Sequence, residues 1–229
     1  MLYPVLIDMP CAKTVQGLTP TLAVINNVSP NSNKINPKMR YNRVMNLGLI
    51  LFGLGETLLI TANVGVSPWT VLAQGLSFKT GYSIGLTTFF VSIAVLFLWI
   101  PLKQKPGIGT ILNTIIVSVV IDVSLPYLPN PETIILQISQ IIIAVVIVGI
   151  GSGFYLVANL GPGSRDGLMT GLQRITNKPI SLIRAIIEIS VVIFGWYLGG
   201  VVGIGTIVFA IGIGPLVSAG LFSVSRIIK

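Results

Sequence analysis

The chain has 229 residues, of which 53% are hydrophobic and only 9% charged, against roughly 25% charged residues in soluble domains. With a mean hydropathy of +0.92, so few charges cannot cover a water-soluble body of this size, and most of the chain must face lipid. A sequence with no histidine and a single cysteine, Cys11, lacks the commonest catalytic base, the material for an intramolecular disulfide and any Cys-cluster metal site.

The first 40 residues differ from the rest. Pro4, Pro10, Pro20, Pro30 and Pro37 punctuate them, and residues 26–36 are rich in Asn and Ser. The opening lacks the basic start of a signal peptide, so a poorly ordered cytoplasmic tail is expected. The glycosylation sequon at Asn27 precedes Pro30 and lies on the wrong side of the membrane.

A hydrocarbon core about 30 Å thick needs roughly 20 apolar residues in helical form. Such runs occupy residues 44–64, 84–102, 108–125, 133–156, 180–198 and 204–224. The third is interrupted by Asn113, Thr114, Ser118 and Asp122, which leaves a five-span count open. Between the first two runs, Ser67-Pro68 is a helix start, an N-cap followed by proline at the first helical position. A second short connector helix begins near Ser164. Both connectors are too short to span and too apolar for free loops, so they are expected to be re-entrant or interfacial.

The basic residues orient these runs. Lys13, Lys34, Lys38, Arg40, Arg43, Lys103, Lys105, Arg165, Arg174, Lys178, Arg226 and Lys229 fall on one side of a six-span chain, and Lys79 alone falls opposite. This bias predicts a plasma-membrane protein with both termini cytoplasmic. It also assigns the net charge of +8 to anionic lipid rather than nucleic acid.

The chain repeats itself at a shift of 96 residues. Ala62-Asn63-Val64-Gly65 falls on Ala158-Asn159-Leu160-Gly161, Gly75-Leu76 on Gly171-Leu172, and Gly107-Ile108-Gly109-Thr110 on Gly203-Ile204-Gly205-Thr206. Each copy holds three spans, an odd number, so the second copy enters the membrane from the opposite side. Inverted repeats of this kind recur in transporters, with sites where the halves meet.

The block Leu160-Gly161-Pro162-Gly163-Ser164-Arg165-Asp166-Gly167-Leu168-Met169, the segment Val64-Gly65-Val66-Ser67-Pro68-Trp69 and the Gly-Ile-Gly-Thr blocks resemble the YczE/YyaS/YitT group of bacterial and archaeal membrane proteins. The resemblance covers roughly residues 41–225 and implies a polytopic membrane fold and a transport role without an established substrate. Where that group often has Asp after the first-copy Trp, this chain has Thr70.

Ionisable groups inside spans cost roughly 2.5–3.5 kcal/mol each on insertion scales and invite explanation. Glu56 lies deep in the first run and must protonate, pair across helices (Arg184 being the obvious partner) or face water. Arg184 and Glu188 are four apart and share a helix face. Arg165 and Asp166 could pair at the second connector, while Asp122 reads as a solvated helix end. Helix starts at Ser67 and Ser164, if turned inward, would favour an anionic group. The spacings Gly149-x-x-x-Gly153, Gly195-x-x-x-Gly199 and Gly163-x-x-x-Gly167-x-x-x-Gly171 are small-residue packing faces. Trp99, Trp196 and Tyr197 lie near span ends, as interfacial belts do.

The sequence thus predicts an all-α polytopic membrane protein: a tail over 1–40, then membrane repeats over 41–130 and 131–229, six spans in all, each repeat with a short non-spanning helix. The expected function is a small secondary transporter or permease of an unknown solute or ion, with no catalytic residues, metal or cofactor, and a size that suits a homodimer. Its path would be lined by Glu56, Asn63, Ser67, Trp69, Asn159, Ser164, Arg165, Asp166, Arg184 and Glu188. The alternative is a non-transporting scaffold or assembly protein acting through partners.

Overall fold

The computed structural model describes residues 37–227, and among them finds eight helices and no strand. The predicted tail, apart from its last four residues, lies outside the described residues, as do Cys11, Lys13, Lys34 and Lys229. The helices are α1 (Pro37–Ala62), α2 (Pro68–Thr80), α3 (Ile84–Trp99), α4 (Ile108–Ser124), α5 (Ile134–Val157), α6 (Ser164–Thr176), α7 (Ile180–Tyr197) and α8 (Ile204–Ile227).

This is a helical membrane protein. Four helices are long and apolar enough to cross a bilayer alone: α1 over Asn42–Ala62, α5, α7, and α8 over Ile204–Val224. Helices α2 and α3 reach that standard only together, and they meet at a bend of 115°. Helix α3 has 16 residues rather than the predicted run to 102, because Pro101 removes a donor and disfavours helix at the residue before it. Helix α4, with 17 residues, is the other short apolar element.

The core forms around close crossings of α5 with α1 and α8. A Cβ on Gly48 would lie 2.7 Å from the Gly151 carbonyl oxygen, and one on Gly55 would lie 2.5 Å from a Val148 methyl. On the other side of α5, Gly149 and Gly153 meet Leu216 and Gly220 of α8. The predicted small-residue spacing is therefore a packing face. Around these crossings lie buried Leu49, Leu59, Ile141, Val145 and Val148. A second cluster gathers Trp69, Val91, Val95, Trp99 and Leu168 between α2, α3 and α6.

The starts of α2, α3 and α4 recur 96 residues later as the starts of α6, α7 and α8. The breaks recur as well. Asn63 and Asn159 take left-handed φ values of 56° and 49°, and Gly65 and Gly161 take 115° and 127°, values open to Asn and Gly at helix C-termini. The repeated blocks then meet across the halves. The Gly109 amide donates to the Leu160 carbonyl at 2.9 Å, and the Gly205 amide donates to the Val64 carbonyl at 2.9 Å. A Cβ on Gly65 would lie 2.7 Å from the Gly203 nitrogen, and one on Gly161 would lie 3.0 Å from the Gly107 Cα. The residues that repeat in sequence are those that seal each half's broken backbone against the other half.

The same exchange places the short helices. Helix α2 packs on α7 of the other half through Gly75 and Gly195, where a Gly195 Cβ would lie 2.5 Å from the Leu72 nitrogen. Helix α6 packs on α3, where Trp99 fills the slot left by Gly167. Trp99 was expected in an interfacial belt, but it is 2% exposed and its Nε1–H donates to the Ser164 carbonyl at 2.9 Å. Trp196 and Tyr197 are exposed, as expected. Asp122 is no solvated helix end. It is half-buried and accepts from Ser83 Oγ at 2.6 Å and the Gly85 amide at 2.7 Å, which caps α3 from the end of α4.

Candidate functional site

Where the halves face each other, the helices leave a chamber of about 140 Å³. Each wall has a simple origin. The first turn of α6 brings Ser164, Arg165 and Asp166, and α7 brings Arg184 and Glu188 one helical turn apart. Trp69 comes from the first turn of α2. Hydroxyls line the far side: Thr88 and Ser92 from α3, Ser118 from α4 and Ser152 from α5. Asn113 and Tyr155 add an amide and a phenol, while Phe52, Phe209, Ile213 and Val217 form an apolar side.

Six predicted residues therefore share one chamber: Trp69, Ser164, Arg165, Asp166, Arg184 and Glu188. Glu56 and Ser67 stand behind its wall. Glu56, 1% exposed, does not pair with Arg184. Its Oε2 accepts from Ser67 Oγ at 2.7 Å and Thr70 Oγ1 at 2.8 Å, and these two hydroxyls lie 3.0 Å apart. Its Oε1 is buried with no hydrogen-bond partner among the described residues. Ser67 caps α2 in backbone position only, because its hydroxyl has turned to Glu56. Asn63 and Asn159 are exposed turn residues and do not reach the chamber.

Arg184 takes the neighbour its own helix supplies. Its Nε donates to Glu188 Oε1 at 2.7 Å, four residues on, and this is the one ion pair among the described residues. The same geometry rules out the Arg165–Asp166 pair. Asp166 Oδ2 accepts from the Tyr155 hydroxyl at 2.5 Å, whereas the Arg165 guanidinium lies 5.4 Å over the Trp69 ring. Burial pushes the Arg165 pKa below its ordinary value, and nearby Glu56, then Asp166, push it back up. The predicted cap of α6 shifts by one residue: Gly163 is the N-cap, and Ser164 is the first helical residue.

Sequence reasoning passed over Tyr155, Asn113 and the hydroxyl wall. A signal existed, because Thr88 and Ser92, and likewise Thr114 and Ser118, are four apart and mark one polar stripe on each helix. Residues 39–220 match the sequence profile described as "Family of unknown function (DUF6198)". An uncharacterized protein of Haemophilus influenzae is 36% identical over 184 residues, covering 80% of this chain and 84% of that protein. The uncharacterized membrane protein YczE of Bacillus subtilis is 31% identical over 166 residues, covering 72% and 77%. YyaS of the same organism is 26% identical over 165 residues, covering 70% and 82%. No solved structure matches.

Proposed function

This chain belongs to the family of unknown function DUF6198 and is related to the membrane protein YczE, and we propose that it is a small secondary carrier whose solute site is the chamber between its two halves. The observation that carries the proposal is the chamber itself. Four ionisable residues and a wall of hydroxyls converge from both halves on one cavity, and such groups inside a membrane commonly mark the path of a solute or ion. In this reading the chain crosses the bilayer six times, with both termini cytoplasmic. Helices α3 and α4 are its short spans, and α2 and α6 are non-spanning helices docked on the opposite half. The repeat of helix starts and the exchanged backbone hydrogen bonds support two halves of inverted topology. Alternating access would then be a rocking of one half against the other about the chamber.

The test requires no knowledge of the solute. With Cys11 replaced by serine, Ser92→Cys places one thiol on the chamber wall, at a position that is 5% exposed. A carrier that opens alternately will let a membrane-impermeant thiol reagent reach it from either face of sealed vesicles. Reaction from one face only, with intact protein recovered, would refute alternating access.

A further inference from the structure

We infer that the chamber selects a small organic anion, an oxyanion head carried on a short apolar body; the inference rests on the carrier reading and assigns its substrate class. The argument is a count of which charges are already satisfied. Two acids face the chamber, and each gives one oxygen to a neighbour: Glu188 accepts from Arg184 at 2.7 Å, and Asp166 accepts from Tyr155 at 2.5 Å. The third acid, Glu56, gives its Oε2 to Ser67 and Thr70 and does not line the space, although its charge reaches Arg165. The donors are not engaged in the same way. Arg165 makes no ion pair and no hydrogen bond among the described residues, so its whole planar fork is unspent, held by the Trp69 ring at 5.4 Å. Among the described residues, Arg184 commits only its Nε and the Asn113 amide makes no hydrogen bond.

Arg165 is half-buried, and a guanidinium fork with no acceptor of its own matches two oxygens of a carboxylate or similar oxyanion. A cation would find two carboxylates that each already accept from a donor, and no cluster of three metal-binding side chains among the described residues. Phe52, Phe209, Ile213 and Val217, which line the same chamber, offer nothing to a second charge but can hold a short hydrocarbon body.

The experiment uses the Ser92→Cys protein lacking Cys11 and two thiol reagents of similar size, sulfonatoethyl and trimethylammonioethyl methanethiosulfonate. Their rates are corrected for reaction with a free thiol in solution. The sulfonate reagent is expected to react on the order of tenfold faster, as a guanidinium with an open fork lining the same chamber would give. Arg165→Gln should abolish that preference and Arg165→Lys should keep its direction. A cationic reagent that reacts as fast or faster in the parent protein overturns the anion assignment and leaves the carrier reading intact. A preference that survives Arg165→Gln overturns the role of Arg165. Reaction with neither reagent from either face overturns the path and the selectivity together.

Discussion

Substituting Gly167 by alanine sets two effects against each other. Alanine normally gains about 1 kcal/mol over glycine inside a helix. Here the added Cβ would lie 2.7 Å from Trp99 Cε2 and nearer still to Cζ2 and Cη2. The ring has nowhere to go, because it is 2% exposed and tethered by its Nε1–H to the Ser164 carbonyl. Displacing a packed ring costs about 1–3 kcal/mol, and orphaning a buried hydrogen-bonding group costs about 1–3 kcal/mol more. The clash outweighs the propensity gain. At about 2–4 °C per kcal/mol for a chain of this size, Gly167→Ala should lower the apparent unfolding temperature in detergent by on the order of 10 °C, followed by gel filtration after heating. In a Trp99→Leu background the ring edge is gone, and the same glycine substitution should change the midpoint by no more than about 3 °C, the non-additivity expected of residues in contact. A single Gly167→Ala variant that melts with the parent protein would refute the argument.

Three further outcomes follow from the same contacts. Asp122→Ala removes the acceptor for Ser83 Oγ and the Gly85 amide and should cost about 1–3 kcal/mol in a thermal melt, while Asp122→Asn should recover most of the loss. Glu56→Gln keeps an oxygen for the Ser67 and Thr70 hydroxyls, so the protein should insert and fold; if the carboxylate serves transport, the Ser92→Cys reporter should then react from one face only, and unchanged two-sided reaction would remove Glu56 from the mechanism. Gly205→Ala drives its Cβ into the Gly65 carbonyl oxygen, whereas Gly109→Ala stops 3.0 Å from the Leu160 carbonyl, so yield in membranes should fall further for Gly205→Ala than for its repeat partner.

The backbone was far more legible in the sequence than the partnerships of its side chains. Asn63-Val64-Gly65 and Gly107-Ile108-Gly109-Thr110 announce themselves because left-handed turns and backbone-to-backbone crossings admit few residue types. Laid against their copies 96 residues on, they also gave the starts of the later helices. The acids behaved differently. Glu56 could have met any group its helix faced, and only the fold places Ser67 and Thr70 closer than Arg184. Trp99 looked interfacial from its place at the end of a span, because a slot made by Gly167 on another helix leaves no mark near residue 99. Six of the ten proposed path residues nevertheless reached one chamber, since the connector starts and the Arg184–Glu188 spacing are local facts.

The exchanged hydrogen bonds also bear on how the molecule is made. The Val64 carbonyl, left free where α1 breaks, has its partner on the Gly205 amide at the start of the last helix. During synthesis that break must therefore wait, shielded by lipid, water or the insertion machinery, until almost the whole chain has emerged. On this reading the first half is an unfinished body until the last helix arrives, and assembly is a late event in which the two parts of the chain close each other. Cutting the gene between α4 and α5 and expressing both pieces together should rebuild the protein, whereas either piece alone should be cleared by membrane quality control.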